Sequence, residues 1–415
     1  MTIAGIPVEF ILFALTLLGV ALFHGQTLYV ALTGMVVIAT YKLGFTDFSL
    51  AKHVAHEWVT LANLLGLLLG FALLADHFEK SEIPAILPNY LPDDWKGGFV
   101  MLILVFFISS FLDNIAAAMI GGTMAAVLYQ KRVHIGFLAA IVAASNAGGA
   151  GSVVGDTTTT MLWIAGVSPM QVLDAYIAAV PALLFFGVIA ARQQHAYQPI
   201  LKDAKAGAHV EYARLIIVAI ILASAVGANV WFNLNSPATL SLLPVIGMAV
   251  LAAVLVTSVW RKPTWSLLPD AFKGSVFLLS LVMCASMMPV EKLPVASWTS
   301  TLGLGFLSAV FDNIPLTALA LRQGGYDWGM LAYAVGFGGS MIWFGSSAGV
   351  ALSNMYPQAK SVGAWLKGGW HVAVGYVLGF AVLMATAGWH PEPIRGRAKP
   401  AAVAAAPSAP IALVR

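Results

Sequence analysis

Apolar residues fill long runs along this chain, and polar residues are confined to short stretches between them. A membrane-spanning helix needs about 20 consecutive apolar residues to cross about 30 Å of hydrocarbon. Eight runs are long enough to predict uninterrupted membrane helices, near 6–24, 27–44, 55–77, 169–191, 213–233, 240–260, 271–290 and 362–388. No cationic leader precedes the first run, so we interpret it as a membrane helix and not as a signal peptide.

Four further apolar segments are interrupted by polar or glycine-rich positions. Segments 98–130 and 297–321 each contain an Asp-Asn pair, and we predict that each forms a hairpin that enters and leaves the membrane on one side. Segments 134–165 and 328–355 contain many glycines. Glycine is unfavourable inside a helix, so these segments predict helices that are unwound part of the way across the membrane.

A long polar stretch divides the chain almost equally. We predict a first repeat over 1–191, a cytoplasmic linker over 192–212, a second repeat over 213–389 and a disordered, Pro/Ala-rich tail over 390–415. With the linker in the cytoplasm, most Lys and Arg residues lie on that side, as the positive-inside rule requires. Each repeat then has three spans, a hairpin and two spans, and this odd number of crossings makes the repeats inverted.

The predicted fold class is an all-α polytopic membrane protein. It consists of two inverted repeats with about ten transmembrane helices, two re-entrant hairpins and unwound helices at mid-membrane. Composition agrees with this prediction, because 60% of the 415 residues are hydrophobic and 9% are charged, against about 25% charged in soluble domains. So few charges predict a surface covered mostly by lipid.

Charge and cysteine content limit the function further. The net charge of +3 gives no indication of nucleic-acid binding, and we expect no nucleic-acid partner. Cys284 is the only cysteine, which excludes an internal disulfide and argues against a cysteine-based metal site.

The two hairpins carry the first candidate chemistry. Residues 109–115 are Ser-Ser-Phe-Leu-Asp-Asn-Ile, and residues 308–314 are Ser-Ala-Val-Phe-Asp-Asn-Ile. A charged residue in hydrocarbon costs at least about 2.5–3.5 kcal/mol, so two acids at matching positions favour a functional site. The alternative is a purely structural role at the hairpin tips, and Pro315 strengthens that alternative for the second hairpin.

A glycine-rich segment with oxygen-bearing side chains follows each hairpin. In the first half, residues 145–152 are followed by Gly-Asp-Thr-Thr-Thr-Thr at 155–160, and the second half has related segments at 336–340 and 345–349. Carboxylate and hydroxyl oxygens suit Na⁺ or Li⁺ better than a soft metal. Helix capping by the threonines and close helix packing by the glycines remain alternatives.

These motifs carry a resemblance. The stretch from Ser109 to Trp163 resembles NhaD-type sodium/proton antiporters, whose superfamily includes arsenite permeases and dicarboxylate/citrate transporters; the resemblance covers most of 55–388. It implies an inverted-repeat fold with two hairpins, usually a homodimer, and elevator-like alternating access. The site residues that it implies are Ser109, Asp113, Asn114, Asn146, Asp156, Thr157 and Thr158 in the first half, and Ser308, Asn313, Ser346 and Ser347 in the second. Because Ser346 stands where the first half has Asp156, we do not expect two equivalent sites.

The leading hypothesis is exchange of Na⁺ or Li⁺ for protons at a bacterial inner membrane, with no cofactor. Asp113 and Asp156, with Asp312 as a third candidate, would bind either a cation or protons, and Asn114 and Thr157 would complete the cation site. The alternative is cation-coupled transport of citrate or a dicarboxylate, or arsenite efflux. Anion transport is less favoured because no Lys or Arg lies near the motifs. The sequence contains no nucleophile–His pattern, so we do not expect an enzyme.

Overall fold

Helices account for almost all regular structure in a computed structural model of the chain. The structure describes residues 2–3, 5–23, 26–86, 90–201 and 209–393. A short antiparallel pair, β1 (Thr2–Ile3) and β2 (Ile6–Pro7), precedes the helices. The helices of the first half are α1 (Val8–Leu22), α2 (Thr27–Phe45), α3 (Leu50–Glu79), α4 (Ile83–Ile86), α5 (Trp95–Ser109), α6 (Asn114–Leu128), α7 (Ile135–Ala150), α8 (Thr157–Ile164), α9 (Pro169–Leu173) and α10 (Ala175–Tyr197). Those of the second half are α11 (Tyr212–Asn235), α12 (Pro237–Leu242), α13 (Val245–Thr257), α14 (Leu268–Ser286), α15 (Trp298–Ser308), α16 (Asn313–Gln323), α17 (Trp328–Gly338), α18 (Ser347–Met355), α19 (Val362–Gly368) and α20 (Trp370–Thr386).

The helices are those of a multi-pass membrane protein. Within the described ranges, five segments are long and apolar enough to cross a membrane: Thr27–Phe45, Leu50–Glu79, Pro169–Tyr197, Tyr212–Phe232 and Trp265–Ser286. Counting α19 and α20 together, which meet at a 60° bend, adds a sixth. Three features stay predictions: the total of about ten spans, the re-entrant insertion of the hairpins and the inverted orientation of the two halves.

Two helix boundaries differ from those that the sequence suggested. The run 240–260 is divided between α12 and α13 at Leu243 and Pro244, because proline has no N–H to continue a helix. The linker predicted over 192–212 begins inside α10, which continues to Tyr197. The rest of this linker at 202–208 and the tail at 394–415 lie outside the described residues.

The helices pack in two groups. Helices α1–α3 and α11–α14 form the scaffold group. Helices α5–α10 and α15–α20 form the core group, in which α7 and α17 are buried along nearly their whole length. The groups meet where α3 and α14 of the scaffold group pack against α6, α8 and α16 of the core group. We call this boundary the seam.

The core group contains the same local arrangement twice. A helix pair joined at an Asp-Asn turn (α5–α6 and α15–α16) is followed by two helices separated by a break (α7–α8 and α17–α18). A Cβ atom on Gly148 would lie 2.0 Å from the carbonyl oxygen of Phe106, and one on Gly338 would lie 2.2 Å from that of Gly305. Both glycines therefore allow a broken helix to touch the backbone of the preceding hairpin, which supports the packing alternative.

Candidate functional site

Four helices of the core group begin at a polar residue of the sequence motifs. Asp113, Asp156 and Asp312 cap α6, α8 and α16, and each carboxylate accepts a hydrogen bond from the N–H two positions later, at 3.1, 3.4 and 3.0 Å. Ser346 caps α18 in a similar way, at 3.3 Å. The first N–H groups of a helix have no partner within it, and these side chains supply one.

Asp156 connects the two halves of the chain. Asn114, the first residue of α6, donates from Nδ2 to Asp156 Oδ1 at 3.2 Å. Asn313, the first residue of α16, donates from Nδ2 to Asp156 Oδ2 at 3.4 Å. The hydroxyl of Thr158 donates to the same Oδ2 at 2.6 Å. One buried carboxylate therefore holds the N-termini of α6, α8 and α16 together.

Asn146 of α7 connects the N-terminus of α18 to the hydrogen bonds around Asp156. Its Oδ1 accepts from Asn114 Nδ2 at 3.0 Å, and its Nδ2 donates to Ser340 Oγ at 2.9 Å and to Ser346 Oγ at 3.1 Å. Asn146, Ser340 and Ser346 are fully buried. A continuous polar network thus runs through the centre of the core group, and the N-terminus of α18 joins it.

Two predicted serines hold helices together. Ser109 Oγ donates to the carbonyl of Ser145 at 2.5 Å, and Ser308 Oγ donates to the carbonyl of Val335 at 2.7 Å. Each bond joins the first helix of a hairpin to the broken helix that follows it. Both hydroxyl protons are therefore engaged by backbone carbonyls, which is a structural contact.

The remaining predicted residues lie beside the network, on separate contacts. Asp312 Oδ2 accepts from the hydroxyl of Ser347 at 3.1 Å. Asp113 and Thr157 line a cavity that also reaches Asp156. The first-half carboxylates thus share one space, while Asp312 is bonded to the start of α18.

This shared cavity has a volume of about 300 Å³ and lies on the seam. Apolar side chains of α3 form its far wall together with Ala271, Gly274, Ser275 and Leu278 of α14. Asp113, Asp156, Thr157 and Thr160 form the polar wall opposite. None of the described residues that line it is Lys or Arg. The space is large enough for a small cation with several water molecules.

A second cavity, of about 340 Å³, lies further along the same seam. Met161 and Ala165 near the C-terminal end of α8 line it, whereas Thr157 and Thr160 near the N-terminal end line the first cavity. Its other walls carry charged and titratable side chains: His56, Glu57, Glu291 and Arg322. The two cavities therefore follow each other along α8, between the scaffold group and the core group.

Comparison with known proteins gives named relatives, although no family model matches the chain. The chain is 25% identical over 366 residues to sodium/proton antiporter 1 of Arabidopsis thaliana, which covers 80% of this chain and 61% of the relative. It is 27% identical over 336 residues to the Na⁺/H⁺ antiporter NhaD of Vibrio cholerae, covering 66% of this chain and 67% of the relative. For NhaD of Alkalimonas amylolytica the identity is 28% over 350 residues, covering 69% and 68%.

The resemblance to NhaD-type sodium/proton antiporters is confirmed. The relatives are named as antiporters, which are transporters and not enzymes. This chain spans 61% of the length of the plant relative.

Sequence reasoning missed two contributors to the site. Ser340, which completes the bonds of Asn146, ends the Gly-Gly-Ser segment of the second half but was not among the predicted site residues. Tyr176 of α10 donates to Ser110 Oγ at 2.8 Å and to the carbonyl of Gly148 at 3.0 Å, so it braces the first hairpin against α7. The segment 336–340 pointed towards Ser340, but no sequence signal identified Tyr176.

Proposed function

We propose that this chain is a secondary active transporter that exchanges Na⁺ or Li⁺ for protons. The observation that carries the proposal is the position of Asp156. It accepts hydrogen bonds from Asn114 and Asn313, one from each half, and it lines a cavity together with Asp113. The relatives are named as antiporters of sodium and protons, which supports the same function.

The electrostatics favour a cation over an anion. Four helix N-termini, each equivalent to roughly +0.5 charge, meet around the polar network, and such ends attract anions. Three of the four caps are aspartates, however, so an anion would meet three carboxylates. Three ionised carboxylates outweigh roughly +2 from the helix ends, which leaves a site that a proton or a monovalent cation neutralises. This argument disfavours citrate, a dicarboxylate or arsenite as the substrate.

Competition for the same carboxylates couples the two ions. A carboxylate removed from water is unstable as a bare charge, so Asp113 and Asp156 each need a proton or a cation nearby. Asn114 donates through Nδ2, which leaves its Oδ1 to bind a cation, and the Thr157 hydroxyl offers a further oxygen on the cavity wall. Entry of Na⁺ then displaces protons, and protonation on the other side displaces Na⁺.

Alternating access is the remaining part of the proposal. The two cavities follow each other along α8 on the seam, and this supports an elevator-like displacement of the core group against α3 and α14. Such a displacement would transfer the Asp156 region from one cavity to the other. We further propose that the chain works as a homodimer. We also propose a bacterial inner membrane as its location, in accord with the bacterial source of the NhaD relatives.

Exchange in proteoliposomes tests this function. An imposed Na⁺ or Li⁺ gradient is expected to drive protons in the opposite direction, and Asp156→Asn and Asp113→Asn are each expected to abolish this movement. Asp270→Asn is the matched control, because this carboxylate is 85% exposed. Full exchange by both variants would refute the mechanism. Uptake of citrate, succinate or arsenite without Na⁺-driven proton movement would support the anion alternative instead.

A further inference from the structure

A third cavity, of about 640 Å³, lies at one end of the core group, away from the Asp156 network. Its walls come from the α6–α7 connection, the end of α10 and α19, so both halves of the chain contribute. Three of its lining residues, Lys131, Arg132 and Lys367, carry a positive charge. We call it the basic cavity.

Among the described residues, no acidic side chain in the lining of the basic cavity balances its positive charge. None of the described residues that line it is Asp or Glu. Within the described part of the chain, none of its three cations forms an ion pair. Gln193 and His134 add side chains that can donate hydrogen bonds. The lining therefore matches an anion with several acceptor oxygens.

The backbone of the α6–α7 connection is held in an unusual conformation. Gln130 and Lys131 have φ angles of 46° and 63°, a left-handed conformation that non-glycine residues rarely adopt. The connection is tied down at its end, where the N–H of His134 donates to Gln194 Oε1 at 2.7 Å. The strained turn places Lys131 and Arg132 side by side on the cavity wall.

Tyr197 lines the basic cavity, and Leu366 and Trp370 lie within two residues of its lining residues Lys367 and Gly368 in the sequence. Tyr197, Leu366 and Trp370 are 51%, 46% and 47% exposed. Tyr and Trp collect at membrane–water interfaces, where their rings contact both lipid and headgroups. The combination of three cations with an exposed Tyr in the lining is typical of the headgroup level of a bilayer.

We propose that the basic cavity binds a phosphate group, carried by an anionic lipid headgroup or by free phosphate. Arg132 can hold two phosphate oxygens at once, while Lys131 and Lys367 act as point charges. Basic pockets between helix ends on the cytoplasmic side bind anionic lipid headgroups. Because the cavity walls come from both halves, a bound phosphate would fasten α19 to the α6–α7 connection and raise the thermal stability of the protein.

Thermal unfolding in detergent tests the binding, with the full chain and three added ligands: cardiolipin, phosphatidylcholine and inorganic phosphate. Cardiolipin is expected to raise the melting temperature of the unmodified protein by several degrees more than phosphatidylcholine does. If inorganic phosphate raises the melting temperature as much as cardiolipin does, the bound group is free phosphate. If cardiolipin raises it and inorganic phosphate does not, the bound phosphate is carried by a lipid. If neither cardiolipin nor inorganic phosphate raises the melting temperature, the proposal is overturned.

Two sets of variants connect the effect to the basic cavity. The combined change Lys131→Gln, Arg132→Gln and Lys367→Gln is expected to remove most of the rise. The control change Lys96→Gln, Lys262→Gln and Lys273→Gln removes as much positive charge from positions that do not line the basic cavity and is expected to keep the rise. Lys367→Gln alone alters one exposed side chain and should not disturb folding. A partial loss of the rise in melting temperature in this variant would therefore report weaker binding and not misfolding. An unchanged rise in the first set would contradict the proposal.

Discussion

Asn313 Nδ2 lies 3.4 Å from Asp156 Oδ2 and donates a hydrogen bond to it, which joins the first residue of α16 to the cap of α8 across the two halves of the chain. Asn114 makes the equivalent contact from the first half, to Oδ1 of the same carboxylate at 3.2 Å. The two Asp-Asn turns therefore converge on one acid, and no second acid occupies the corresponding position of α18, where Ser346 stands. The two halves therefore differ in that they share a single carboxylate, Asp156, at this position.

Removal of the Asn313 amide is predicted to weaken Na⁺ binding. The amide stabilises the ionised form of Asp156, which is the form that would bind the cation in the proposed exchange. A hydrogen bond to a charged group contributes about 1.5 kcal/mol, equivalent to about a tenfold change in binding. Asn313→Ala should therefore raise the Na⁺ concentration at half-maximal exchange by about tenfold, measured in proteoliposomes at fixed pH. Gln323→Ala, at the other end of α16, should leave it unchanged; an equal rise there would show that the effect is not local.

Close packing between α7 and α5 predicts a loss of stability for Gly148→Ala. The added Cβ would lie 2.0 Å from the carbonyl oxygen of Phe106, so α7 and α5 would have to separate. Overpacking of this kind costs about 1–3 kcal/mol, which should appear as a lower melting temperature in detergent. Gly303→Ala is the control, because a Cβ at Gly303 in α15 has no atom within 4 Å among the described residues. Equal melting temperatures of the two variants would contradict the close contact.

The sequence indicated where polar groups interrupt the helices but not which of them meet. Asp113, Asp156 and Asp312 were identifiable because an acid in an apolar run is costly, and each begins a helix. The bonds of Asn146 to Ser340 and Ser346 join positions about 200 residues apart, and only the packing of the core group determines them. The hydrophobic runs gave no such information, because they are apolar on all sides and do not specify which face meets which neighbour.

Asn63 of α3 illustrates a contact that no motif indicated. Its Oδ1 accepts hydrogen bonds from the N–H groups of Ile246 and Gly247, at 3.1 and 3.0 Å, and so caps α13 from a neighbouring helix. Asn63→Ala would leave both buried donors without this acceptor, at a cost of roughly 2 kcal/mol. We expect a lower melting temperature for Asn63→Ala and little change for Asn235→Ala, whose amide is exposed. A melting temperature of Asn63→Ala equal to that of the unmodified protein would argue against this cap.

The cavity beside Asp156 predicts that transport can be blocked without a change to any polar residue. Gly274 of α14 lines this cavity, and a Cβ there has no described atom within 4 Å. Gly274→Leu should therefore be accommodated without overpacking, while its side chain fills space that an ion needs to reach the carboxylates. The free energy of unfolding should stay within about 1 kcal/mol of the unmodified value, yet Na⁺-driven proton movement should fall severalfold.

Gly227→Leu in α11 makes the same change at a site with equally open surroundings that does not line the cavity, and it should keep full exchange. Equal exchange by the two variants would mean that ions reach Asp156 by another route.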